Sequence, residues 1–69
     1  MIRLKISEDK IIRLKKFLNS ENFQNSYSKS EMWKEFTRSS KIVFEKNFVI
    51  IQGDSGLYFR NLNFFKKFI

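Results

Sequence analysis

The sequence contains no cysteine, no histidine and no proline. Without cysteine there is neither a disulfide nor a thiolate ligand, and without histidine the commonest metal ligand and the usual general base at neutral pH are missing. Seven acids and two tyrosines leave few ways to pair a nucleophile with an oriented base. We therefore expect a protein that is not an enzyme, holds no metal and needs no cofactor.

Long apolar runs are missing as well. No stretch approaches the roughly 20 apolar residues that span a bilayer. Residues 1–6 alternate apolar and basic side chains and do not form the continuous apolar run of a signal peptide. With only two glycines and no proline, the composition argues against a disordered linker. These features predict an ordered, cytoplasmic protein with no membrane span.

Aromatic residues and positive charge, in contrast, are abundant. The 69-residue length suits one core, so we expect a single domain over residues 1–69. Nine Phe residues, each able to bury roughly 150–250 Å², supply that core. Fourteen Lys and Arg residues against seven acids give a net charge of +7. Such a surface suits a polyanion, which favours nucleic acid as the partner. The alternatives are an acidic protein surface, an anionic membrane, and a charge that serves solubility alone.

The first segment of the chain predicts a strand followed by a helix. Residues 2–7 alternate with period two. The apolar face holds Ile2, Leu4 and Ile6, and the other face holds Arg3, Lys5 and Ser7. Ser7 is also a good N-cap, because Glu8 and Asp9 follow it in the first turn. We predict this helix from Glu8 to about Asn19, with an inner stripe of Ile11, Ile12, Leu14, Phe17 and Leu18.

A second helix is predicted after a polar connection over residues 19–27, in which Phe23 and Tyr27 anchor the chain to the core. Ser28 or Ser30 caps this helix, which ends near Ser39. Its predicted inner face consists of Met32, Trp33 and Phe36.

The remainder is rich in β-forming residues. Three such runs, residues 42–44, 48–51 and 57–60, predict an antiparallel meander with hairpin turns at residues 45–47 and 53–56. Residues 61–69 predict either a short helix, with Leu62, Phe65 and Ile69 inward, or a final strand. The expected fold class is therefore α+β.

The basic side of the first strand is one candidate binding surface. Arg3, Lys5 and Ser7 stand at intervals of roughly 7 Å, a spacing that lets side chains reach successive groups on a duplex. A basic edge strand also prevents sheets from aggregating edge to edge, and this alternative stays open.

A second candidate surface lies near the C-terminus. Basic residues alternate with aromatic ones over residues 58–60 and 64–68, the composition of a surface that stacks bases and neutralises phosphate. The candidate contacts are Arg60, Lys66 and Lys67. We assign most of the rings themselves to the core, because large aromatics are costly to leave in water.

The order of elements over residues 2–39 resembles the ribbon-helix-helix DNA-binding family. The matching segments are residues 3–7 (RLKIS), 11–14 (IIRL) and 28–32 (SKSEM). The resemblance implies a homodimer whose paired strands enter the major groove, with Arg3, Lys5 and Ser7 reading bases. It also implies phosphate contacts at the start of the second helix from Ser28, Lys29 and Ser30. If the later strands pair instead with residues 2–6, the protein is a monomeric α+β domain of winged-helix type.

Two functional hypotheses follow from the sequence. The first is a small basic nucleic-acid-binding protein, for which a transcriptional regulator is one form. The alternative is a protein-interaction module, such as a phage or mobile-element inhibitor of a host enzyme or nuclease. The residue usage, rich in Lys, Asn, Ile and Phe, suits an AT-rich genome such as that of a low-GC bacterium, a phage or a mobile element.

Overall fold

The computed structural model describes residues 1–68 and shows a mixed α+β fold, as predicted. Its strands are β1 (Ile2–Lys5), β2 (Ser40–Phe44) and β3 (Phe48–Gly53). Its helices are α1 (Glu8–Leu18), α2 (Glu21–Asn25), α3 (Glu31–Ser39), α4 (Ser55–Arg60) and α5 (Leu62–Phe65), with a 3₁₀ turn at Tyr27–Lys29.

The three strands form one antiparallel sheet in the order β1-β3-β2. The predicted N-terminal strand and the predicted hairpin between β2 and β3 are both confirmed. The third strand of the sheet is β1, whose Leu4 lies opposite Val49 of β3. This intramolecular pairing is the one that the winged-helix alternative requires, and it leaves β1 at an edge of the described sheet.

Serine caps explain where three of the helices begin. The Oγ atoms of Ser7, Ser20 and Ser30 each accept a hydrogen bond from the backbone N–H three residues later, at 3.2–3.3 Å. The first and last of these helices, α1 and α3, match the predicted pair. Their inner faces differ from the prediction at two positions, because Ile12 and Met32 are 46% and 37% exposed.

The predicted connection over residues 19–27 contains a helix that the sequence reading missed. Ser20 caps α2, and the 3₁₀ turn follows directly. Phe23 is buried and Tyr27 is half-buried against the core, so both predicted anchors are confirmed.

The C-terminal third departs most from prediction. Residues 57–60 belong to helix α4, so the third β-run and the hairpin at residues 53–56 were wrong. Asp54 caps α4 by accepting a hydrogen bond from the N–H of Gly56 at 2.9 Å. The tail is helical, with Phe65 buried and Leu62 half-buried. The predicted inward position of Ile69 lies outside the described residues.

A buried polar contact fastens the C-terminal helices to the rest of the fold. Asn61, which links α4 to α5, is 1% exposed. Its Oδ1 accepts a hydrogen bond from the Tyr27 hydroxyl at 2.5 Å. Its Nδ2 donates to the carbonyl oxygens of Leu57 at 2.8 Å and Met32 at 3.3 Å. Asn61 is therefore satisfied and connects α3, α4 and the 3₁₀ turn.

Aromatic rings fill the core around this contact. The Tyr27 ring stacks on Phe64, with centroids 4.7 Å apart, and Trp33 meets Phe23 edge-on at 5.1 Å. The prediction that most rings serve packing is confirmed. Among the described residues, Phe59 is exposed and the half-buried Phe48 lies outside the core cluster.

Candidate nucleic-acid interface

The sheet has two chemically different faces. Val49 and Ile51 of the central strand β3 point into the core, so the alternating residues Phe48, Ile50 and Gln52 point the other way. The register places their cross-strand neighbours on that same side. We call this side the outer face; it consists of Arg3, Lys5, Lys41, Val43, Glu45, Phe48, Ile50 and Gln52.

The hydrophobic core does not extend to the outer face. Val43, Phe48 and Ile50 belong neither to the core cluster nor to the partly buried hydrophobic residues that pack against it. Ile50 is nevertheless 8% exposed, because it lies on the central strand with Arg3 and Val43 as its cross-strand neighbours. On the outer face, the buried Ile50 is thus surrounded by the half-buried Val43 and Phe48 and by exposed charged residues.

Arg3 crosses the sheet over an aromatic ring. Its guanidinium carbon lies 4.1 Å from the centroid of the Phe48 ring, a cation–π distance. The same guanidinium approaches Glu45 at 3.6 Å from Nη2 to Oε2. Phe48 and Glu45 therefore hold the Arg3 guanidinium over the outer face.

Two more basic residues lie on the outer face. Lys5 is the register partner of Phe48, and Lys41 is the register partner of Gln52, four residues farther along β3. Both lysines are exposed. The outer face therefore carries three cations and one carboxylate, of which Arg3, Lys5 and Glu45 lie near the Phe48 ring.

Seven of the nine predicted contact residues fall in three separate places. Arg3 and Lys5 lie together on the outer face, as the alternation predicted. Ser28, Lys29 and Ser30 lie together at the start of α3, and the C-terminal residues Lys66 and Lys67 are exposed after α5.

Several predicted side chains already have partners within the chain. Ser7 and Ser30 act as N-caps, and the Ser28 hydroxyl donates to the Gln24 carbonyl at 2.8 Å. Arg60 forms a 2.7 Å ion pair with Glu35 of α3.

Residues on two surfaces were not predicted as contacts. Lys41 and Phe48 complete the outer face. The alternation in residues 41–44 and 48–52 places them there once β3 is known to be the central strand. Lys10, Arg13 and Lys16 are exposed on α1. Their helical spacing was visible, but charges on a helix are most often only solvated.

Both tyrosines are part of the packing. Burial raises the pKa of Tyr27 and of Tyr58 above the ordinary value of 10.0. The phenols therefore stay neutral at physiological pH and serve the fold.

Other kinds of site are absent from residues 1–68. These residues form no detectable pocket and no group of three or more potential metal ligands. None of the described helices is long and apolar enough to cross a membrane. Comparison of the chain with protein-family models, curated proteins and solved structures finds no match.

Proposed function

We propose that the protein binds nucleic acid and that the outer face of the sheet is its contact surface. The observation that carries this proposal is the Arg3–Phe48 stack on a sheet face without core packing, with Lys5 beside the ring and Lys41 farther along the same face. Aromatic rings and guanidinium planes stack bases, and lysines neutralise the phosphates between them.

The geometry favours a single strand over a duplex. Arg3 covers one side of the Phe48 ring, and its side chain is 57% exposed, so we expect a face of the guanidinium plane to be accessible to a base. A base can stack on that plane, or it can displace Arg3 and stack on Phe48 itself. Either contact requires an exposed base face, which single strands offer and internal duplex pairs do not.

Charge sets the expected salt dependence. Three cations on the outer face can neutralise about three phosphates, which on a single strand gives a slope of log K against log salt of about −2. Glu45 reduces this attraction and also holds Arg3 in place. A protein that bound only as a diffuse polycation would have a steeper slope, set by more of its 14 basic residues.

The test is fluorescence anisotropy of a labelled oligo(dT) strand at two salt concentrations, with R3Q/K5Q as the variant. Removing two phosphate contacts should weaken binding roughly ten- to thirtyfold at 0.1 M salt and lower the slope by about 1.4. The matched control is K34Q/R38Q, which removes one Lys and one Arg from the exposed side of α3. If the control loses as much affinity as R3Q/K5Q, the outer face is not the contact surface.

This control also tests the winged-helix alternative, in which a helix enters the groove of a duplex. A large loss of duplex binding in K34Q/R38Q, with R3Q/K5Q unaffected, would place the interface on α3. Trp33 is buried and is the single Trp, so its fluorescence reports whether each variant is folded.

A second candidate function is a protein-interaction module, and the position of β1 favours it. Among the described residues β1 pairs with β3 alone, so one of its edges is open to an added strand. The basic residues Arg3 and Lys5 would favour an acidic extended segment there. Such binding depends on backbone hydrogen bonds and a few anchors, and it should change less with salt than nucleic-acid binding does.

A further inference from the structure

Helix α1 carries a concentration of positive charge. It contains Lys10, Arg13, Lys15 and Lys16, whereas its two acids, Glu8 and Asp9, both lie in the first turn. None of the four cations forms an ion pair among the described residues. Lys15 turns toward β2, with its Nζ 5.1 Å from the Phe44 ring centroid. All four cations are exposed.

The C-terminal tail extends this positive surface. The Phe17 ring, in the last turn of α1, lies 5.6 Å from the Phe68 ring and 6.0 Å from the Phe64 ring. Lys66 and Lys67 stand between those two Phe residues in the chain and are both exposed. One side of α1 carries Lys10, Arg13 and Phe17 at helical spacing. Because Phe17 contacts the tail, the basic side of α1 adjoins the tail. We call Lys10, Arg13, Lys16, Lys66 and Lys67 the helical basic face.

The helical basic face and the outer face of the sheet point away from each other. Ile11 and Leu14 of α1 belong to the same core cluster as Val49 and Ile51 of β3. The core therefore lies between α1 and the sheet, and the exposed side of each layer is directed outward. The described chain measures 29 × 27 × 17 Å, and these dimensions limit the separation between the two faces.

We propose that the helical basic face is a second nucleic-acid contact surface and that one molecule bridges two nucleic-acid segments. The bridging rests on the proposed function of the outer face, whereas the second surface does not. The helical basic face has five cations and no exposed aromatic ring, so it can bind phosphates but cannot stack bases. It therefore binds the backbone of a duplex as well as that of a single strand. Glu8, Asp9 and Glu21 stand at the two ends of α1 and limit the surface there.

Energy transfer between two labelled probes tests the bridging. A donor-labelled oligo(dT) strand and an acceptor-labelled DNA duplex are mixed with the full chain. Bridging brings the probes together, so transfer should rise with protein and fall again when excess protein occupies each probe separately. Anisotropy with each probe alone, on the same samples, measures the two binding events independently.

The informative variant is K10Q/R13Q/K16Q. It should abolish transfer and weaken duplex binding roughly a hundredfold at 0.1 M salt, while oligo(dT) binding falls by no more than about fivefold. The control K34Q/R38Q/K46Q removes the same two Lys and one Arg from elsewhere on the surface. It should keep both the transfer and the duplex binding.

The outcomes separate the two proposals. If oligo(dT) binds but K10Q/R13Q/K16Q and its control lose duplex binding equally, the helical basic face is refuted. If oligo(dT) binds and no transfer occurs at any protein concentration, the bridging is refuted. If oligo(dT) does not bind while duplex binding depends on Lys10, Arg13 and Lys16, the proposed function of the outer face fails and the second surface stands.

Discussion

The two glycines provide a matched pair of substitutions that tests the junction between α3 and the sheet. Gly53 has a φ of +100°, and a Cβ there would lie 2.2 Å from the backbone oxygen of Ser39. Gly53 is also the register partner of Ser40, the first residue of β2. Gly53→Ala must therefore adopt a left-handed backbone and displace a backbone carbonyl at the point where α3 passes into β2.

The expected cost is a large part of the stability of this chain. The left-handed backbone costs about 1–2 kcal/mol, and a forced overlap against backbone adds about 1–3 kcal/mol. At roughly 0.05–0.15 kcal/mol per residue, the free energy of unfolding of a domain of this size is about 3–10 kcal/mol. Gly53→Ala should thus lower the melting temperature by at least about 8 °C.

Gly56→Ala is the control. Gly56 lies in the first turn of α4 with negative φ, and its added Cβ would meet only the Asp54 side chain, at 3.1 Å. We expect a change within about 1 kcal/mol. Urea unfolding followed by Trp33 fluorescence measures both variants. Equal stabilities for the two variants would refute the placement of Gly53 against Ser39.

Three further predictions concern the core. Tyr27→Phe leaves the buried Asn61 Oδ1 without its hydroxyl donor and should lower the free energy of unfolding, measured in urea, by about 1–3 kcal/mol. The control is Tyr58→Phe, which should cost less because the Tyr58 hydroxyl has no hydrogen-bond partner among the described residues. An equal cost for the two variants would argue against the Asn61 contact. Phe36→Ala truncates a fully buried ring and should cost about 3–5 kcal/mol, enough to leave a large unfolded fraction detectable by circular dichroism, so a fully folded variant would contradict the core assignment. Burial raises the pKa of Tyr27 and Tyr58 in the folded state, so the folded chain holds these protons more tightly than the unfolded chain. The stability they contribute is therefore fully present below pH 10 and is lost as the pH rises through the folded pKa values. Stability that stayed constant from pH 9 to 12, or phenolate absorbance titrating at the unperturbed value, would refute this.

The first half of the fold was predictable because its signals are local. The alternation in residues 2–7 fixes which side of β1 is buried, and Ser7 and Ser30 mark the starts of α1 and α3. The partner of β1 was not predictable, because a period-two pattern specifies a face and not a neighbour. Lys41 and Phe48 entered the candidate interface only when β3 was found at the centre of the sheet.

Helix α4 was missed for an identifiable reason, whereas a short helix in the tail was one of the two predicted forms. Tyr58, Asn61 and Phe65 have helical spacing and are all buried, but a polar residue in that stripe conceals the apolar pattern. Asn61 is tolerated there because Tyr27 and the carbonyl of Met32, both distant in sequence, satisfy it. Local β-propensity over residues 57–60 was overridden by this tertiary contact.

The central claim, that the outer face binds a single strand, is tested most directly by mapping the contact residue by residue. In a ¹⁵N-labelled sample titrated with an oligo(dT) strand, the backbone amide signals of β1 and β3 around Arg3 and Phe48 should shift most, together with those near Lys41. The size of the shifts should fall as salt is added. Shifts confined to α3, or spread evenly over all exposed basic residues, would contradict the assignment of the outer face.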